Sequence, residues 1–141
     1  MTIQEALLAI ANRDGGKITP AAVIAEARDE SSVLHNSFTW DNTEAADKWR
    51  VYEAQKLIRE CRVSVDRNGK KEQVIAFIGL SIDRDDYAPK NPYRLASDVA
   101  NCDDLCEVAV RDVLHQLKAL KARYEHLKRL QSVWDAIDSI E

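Results

Sequence analysis

Val110, Val113, Leu117, Leu120, Tyr124 and Leu127 step along the chain by three and four residues, the spacing of one helix face and of a heptad seam. Such a seam has to be covered, because apolar surface left in water forfeits roughly 25 cal/mol for each Å² it exposes. The stretch from Asp103 to Ile140 reads as helix throughout. Past Leu127 its apolar positions drift to Leu130, Trp134 and Ile137, which predicts a kink or a second packing partner. These six residues are the candidate oligomer seam, and a homodimer is the expected assembly. The alternative cover is the chain's own helix over 43–59.

Upstream, Ile3, Ala6, Leu7 and Ile10 repeat the helical period from Ile3 to Ala11, with Thr2 as N-cap and Glu5 completing a capping box. Asp14-Gly15-Gly16 ends that helix. Thr19-Pro20 starts another, which is expected to bury Val23, Ile24 and Ala27. Asn42 or Thr43 caps a longer helix through Arg59, with Ala45, Ala46, Trp49, Tyr52, Leu57, Ile58 and Cys61 as its expected inner side. Between the second and third helices, Val33 to Asn42 has no clean period. Leu34, Phe38 and Trp40 are too apolar for a solvated loop and predict a packed connector with the Phe38 and Trp40 rings on one side.

The period then changes to two. Arg62 to Asp66 alternates, Asn68-Gly69 supplies a tight turn, and Gln73 to Ile82 returns as a second strand, apolar on both faces. This hairpin, about 62–82, is the only β element expected. Asp83 to Pro92 reads as a polar loop, with a short turn from Leu95 to Val99. The predicted class is mainly α with one β-hairpin (α+β). An N-terminal three-helix module of helix-turn-helix or winged-helix type, with the hairpin, occupies 1–92, and a long C-terminal helical arm occupies 93–141.

Chemistry-bearing patterns are sparse. The four glycines, Gly15, Gly16, Gly69 and Gly79, form no phosphate-binding fingerprint. Cys102 and Cys106 are one helical turn apart, but no further ligands complete a zinc site. His115 and His126, eleven residues apart, stand about 16 Å apart on a continuous helix, too far to share an ion. His35 reads as a packed or capping histidine. Asp83, Asp85 and Asp86 open like a calcium loop, yet Ala88 holds the glycine position and Arg94 the last one. Asp66 and Glu72 flank the hairpin turn with no Glu-x-Lys beside them, and there is no serine nucleophile elbow or Cys/His dyad. The expectation is no catalytic residue, no metal, no cofactor and no small-molecule substrate.

Of 141 residues, 45% are apolar and 31% charged, enough to bury a real core in one domain. A net charge of −4 argues against indiscriminate coating of nucleic acid. An odd count of three cysteines predicts reduced thiols. With no secretory signal at the start and no apolar stretch near 18 residues, the expected location is the cytoplasm and no membrane partner is expected. Local basic patches still matter. Arg62, Arg67, Lys70 and Lys71 are candidate nucleic-acid contacts on the hairpin, and three helices followed by a basic hairpin is the chain order of a winged helix. Against that, the third helix balances Lys48, Arg50, Lys56 and Arg59 with Glu44, Asp47, Glu53 and Glu60.

Between Lys17 and Ile58, the elements Ile18-Thr19-Pro20, Ala27, Leu34-His35, Phe38-Thr39-Trp40-Asp41, Ala45-Ala46, Trp49-Arg50 and Ala54-Gln55-Lys56-Leu57-Ile58 resemble a group of small uncharacterised proteins of tailed phages and prophages. The similarity continues weakly through the hairpin, Tyr93-Arg94 and the last helix. Thr39 stands where the group has an acidic residue and Trp49 where it has tyrosine. The resemblance implies a phage or prophage origin, hence a host cell cytoplasm, and a compact accessory or host-targeting protein. The expected function is non-catalytic: protein–protein interaction or self-assembly, with a host protein among the candidate partners. The alternative is a DNA-binding protein of winged-helix type.

Overall fold

A computed structural model of the chain describes residues 1–41, 43–85 and 87–140. Helix α1 (Ile3–Arg13) begins as its sequence dictates: the Glu5 N–H donates to Thr2 Oγ1 at 3.1 Å and the Thr2 N–H to the Glu5 carboxylate at 3.3 Å. Gly15 and Gly16 take φ of +74° and +89°, and the Gly16 N–H closes the helix end onto the Ala11 carbonyl at 2.7 Å. Strand β1 (Lys17–Ile18) leads to α2 (Pro20–Ala27), capped by Thr19 Oγ1 accepting from the Ala22 N–H at 3.1 Å. Leu7, Ile10, Ile18, Val23 and Leu34 are buried together in the core.

Helix α3 (Glu44–Glu60) is capped by Thr43, whose Oγ1 accepts from the Ala46 N–H at 3.1 Å. Asn42, the other expected cap, lies outside the described residues. The inner row is Ala46, Arg50, Ala54 and Ile58, a strict repeat of four. This corrects the expected inner side: Leu57 is half-buried and Cys61 buried, but Ala45, Trp49 and Tyr52 are exposed. Small alanines let α3 pack against α2, and the larger Trp49 and Tyr52 fall on the helix's other side.

The connector packs as expected. His35 Nδ1 lies 2.8 Å from the Ala27 carbonyl, Trp40 Nε1 donates to the His35 carbonyl at 2.8 Å, and the two rings stack at 5.0 Å. Phe38 sits 5.6 Å from Trp40.

Strands β2 (Arg62–Arg67) and β3 (Lys70–Ile75) pair antiparallel, Val63 opposite Val74, about an Asn68-Gly69 turn with φ of +52° and +80°. The expected second strand breaks at Ala76, which is tied to both neighbours: its N–H donates to Cys61 O at 3.0 Å and its carbonyl accepts from the Ala96 N–H at 2.8 Å. Beyond the break, β4 (Phe77–Ile78) joins a different sheet of order β1-β5-β4, with β5 (Tyr93–Leu95) at its centre. The hairpin is therefore not the only β element. The other strands are two or three residues long, too short for an alternation to register. Ile75, expected under cover as part of a strand apolar on both faces, is exposed. The expected division at residue 92 falls just before β5, so the sheet joins the two parts, and the class is α+β, mainly helical.

After α4 (Ala96–Ala100), α5 (Asp103–Tyr124) runs 22 residues and ends. A turn and a 3-10 segment (Lys128–Leu130) lead to α6 (Gln131–Asp138), which folds back along α5 with Lys121 Nζ 2.5 Å from Asp138 Oδ2. The drift in the apolar pattern marks this fold-back. It buries Trp134 and Ile137, and a buried side chain of that kind contributes roughly 1.5–3 kcal/mol. No helix among the described residues is long and apolar enough to cross a membrane.

Candidate interaction surfaces

Of the six seam residues, five lie on one face of α5. Leu127 lies beyond its end in the turn, where it too is exposed. The helix break also removes His126 from the helix of His115, so their expected alignment on one face does not hold. Val110 is 54% exposed and Val113 53%; Leu120 and Tyr124 are exposed, and Leu117 is half-buried. No residue of α5 is fully buried over its 22 residues. Between this face, the body and the chain's end runs an aliphatic groove of about 350 Å³ whose walls include Ile78, Val99, Val110, Val113, Leu117 and Ile140.

The position of α5 explains why the face stays open. The helix is tied to the body on another side, where Asp112 accepts from the Ser81 N–H at 2.8 Å. Hydrogen bonding from Ser81 holds the Asp112 carboxyl below its usual range. Helix α6 covers only part of what remains, and it leaves the buried Trp134 with its Nε1 unpartnered. Of the fifteen large apolar side chains exposed among the described residues, eight fall between Val110 and Ile140, so the excess belongs to the arm. The chain exposes 9711 Å². A compact monomer of 16.0 kDa exposes on the order of 7,400 Å².

The hairpin arranges its four candidate cations differently from a single patch. Arg67 and Lys70 flank the turn on the side of Val63 and Val74, and Arg67 pairs with Glu72 at 3.3 Å. Arg62 and Lys71 belong to the opposite face. Arg62 Nη1 donates to the Arg59 carbonyl at 2.8 Å and to Cys61 O at 3.3 Å.

A surface that sequence reasoning missed lies on α3. With Ala46, Arg50, Ala54 and Ile58 inward, Lys48, Trp49, Tyr52, Lys56 and Arg59 share an outer arc of about 100°. Trp49 and Tyr52 are 53% and 47% exposed, with ring centroids 5.1 Å apart. Lys48, Lys56 and Arg59 make no ion pair among the described residues. The acids fall to either side of the arc, where Asp47 pairs with Arg50 and the Glu53 carboxylate accepts from the Thr39 N–H at 3.3 Å. The helix is neutral in total and basic on its outer arc. The signal was the four-residue row through Ala46, Ala54 and Ile58, which fixes the inward direction once Arg50 is allowed inside.

Other chemistry-bearing side chains hold the fold together. Asp83 receives two bonds from Arg94, at 2.6 and 2.8 Å, tying the loop after β4 to the central strand. Asp85 accepts from the Tyr87 N–H at 2.7 Å; Asp86 lies outside the described residues. All three cysteines are free: Cys61 is buried, which raises its thiol above the ordinary value, while Cys102 is exposed and Cys106 half-buried. Among the described residues no three or more His, Cys, Asp or Glu side chains converge as a metal site. No protein-family model matches the chain, and neither characterised proteins nor solved structures include one significantly similar to it.

Proposed function

We propose that this chain is a non-catalytic accessory protein of phage or prophage type, working in the host cytoplasm by self-association through the apolar face of α5. The observation that carries the reading is a 22-residue helix with an apolar row at heptad spacing and no fully buried residue. An exposed apolar patch of this kind marks an interaction surface. A second copy is the favoured occupant because a heptad row is complementary to another of the same spacing. The area suffices: the chain exposes roughly 2,300 Å² more than a compact monomer of its mass, well above the ~800 Å² that a standard interface takes from each partner.

Light scattering across micromolar concentrations tests this. The expected mass is that of a dimer, and Leu120→Asp is expected to return a monomer with unchanged circular dichroism. A monomer mass for the unaltered chain at every concentration overturns self-association. A host protein bound stoichiometrically by the chain, and released by Leu120→Asp, then takes the second copy's place.

A further inference from the structure

We propose that the outer arc of α3, continued by the outward face of the β2–β3 ribbon, is a nucleic-acid-binding surface that lies along the phosphate backbone of duplex DNA. It is separate from the α5 face and does not depend on it.

Continuity is the first argument. Val63 packs against the core, so strand alternation turns Arg62 and its face-mate Lys71 outward. Arg62 in turn hydrogen-bonds the carbonyl of Arg59 at the end of α3. The cations Lys48, Lys56, Arg59, Arg62 and Lys71 therefore form one track. It covers about 16 Å along the helix and roughly 13 Å more along the ribbon. None of the five is in an ion pair among the described residues, although Lys71 stands opposite Asp66 in the ribbon, so the charge of the α3 cations and Arg62 in particular is available to an anionic partner. On a chain of net charge −4, such segregation points to a polyanion recognised locally.

The aromatic pair is the second argument. Tyr52 stands exposed in the middle of the cationic arc and Trp49 at its edge, beside Glu53 and Glu60; their rings are placed to reach sugars while the lysines hold phosphates. A helix followed at once by a projecting basic ribbon suits a duplex, with the helix and the ribbon both following the phosphate backbone.

Fluorescence anisotropy with a labelled mixed-sequence duplex several turns long tests the assignment on the full chain. Five phosphate contacts predict a salt slope near −4.5, hence roughly a 500-fold loss of affinity between about 50 and 200 mM salt. Lys56→Gln and Arg59→Gln are each expected to weaken binding several-fold for every sequence and to reduce the slope by about one. Trp49→Ala is expected to weaken binding with the slope unchanged. Lys118→Gln, on the arm, is expected to change neither. All these side chains are exposed, so circular dichroism should match the parent throughout. No binding to the duplex at low salt overturns the proposal. So does equal loss from Lys118→Gln, an unchanged slope in both α3 glutamine variants, or preference for a single strand of the same sequence.

Discussion

The guanidinium of Arg50 lies over the indole of Trp40, 5.5 Å from the ring centroid, and its Nη1 donates to the carbonyl oxygens of Thr39 at 3.0 Å and Asp41 at 2.6 Å. Its other terminal nitrogen pairs with Asp47. A single side chain, 3% exposed, thus satisfies two backbone acceptors of the connector and locks it to α3.

Removing that side chain deletes both hydrogen bonds to the connector backbone and the packing of the guanidinium on Trp40. Arg50→Ala is expected to destabilise the fold by about 1–3 kcal/mol, read as a lower urea midpoint. Arg50→Lys is expected to recover only part of the loss, because one ammonium lacks the forked geometry that reaches Thr39, Asp41 and Asp47 together. A lysine variant as stable as the parent would show that charge alone suffices.

This cluster shows how much of the fold could be read from sequence. Leu34, His35, Phe38, Trp40 and Arg50 stood out together as a signature, and the structure gives each a place in one packed unit. The caps at Thr2, Thr19 and Thr43 and the Asn68-Gly69 turn were also legible, because each is written in a few adjacent residues. What escaped was non-local. Strand β5 exists because Tyr93–Leu95 meets β1 and β4 from distant parts of the chain. The orientation of α3 was misjudged because Trp49 and Tyr52 count as core residues by composition, while Arg50 counts as surface. The seam was legible as a row of residues, but its end at Tyr124 was not, since no proline or glycine marks the break.

Gly16 is a second place where one residue closes the fold. A Cβ added there would lie 2.3 Å from Asp98 Oδ2, at a φ of +89° that side chains rarely adopt, and its carbonyl accepts from the Leu95 N–H at 2.9 Å. Gly16→Ala is expected to cost about 1–3 kcal/mol. Asp98→Ala in the same chain is expected to restore the part due to the clash and not the part due to φ. Full restoration by Asp98→Ala would mean that backbone strain contributes nothing.

Acid should loosen the attachment of α5. The folded Asp112 carboxyl titrates below its ordinary 3.8 because of hydrogen bonds from Ser81. Its stabilisation is therefore present above the ordinary value and lost as pH falls through the lowered folded one. The site is largely open to solvent, so the contribution is expected to stay under about 1 kcal/mol. Asp112→Asn should lower the urea midpoint slightly near pH 7 and not at all near pH 2. An equal difference at both pH values would remove the charged form from the explanation.

Two neighbours in the α5 row, Leu117 and Leu120, differ in how far the monomer covers them. Leu120 is exposed with the seam, whereas Leu117 is half-buried in the groove wall that Ile140 also lines. Aspartate at 120 meets water in the monomer and is expected to leave its melting temperature nearly unchanged while abolishing self-association. At 117 part of the carboxylate is placed in an aliphatic wall, where an unpaired polar group costs about 1–3 kcal/mol, so Leu117→Asp is expected to lower monomer stability as well. The comparison is made below the dissociation concentration, where only intrachain packing contributes. If the two variants melt alike there, α5 is uniformly exposed in the monomer, and the groove beside Leu117 forms only when a second copy arrives.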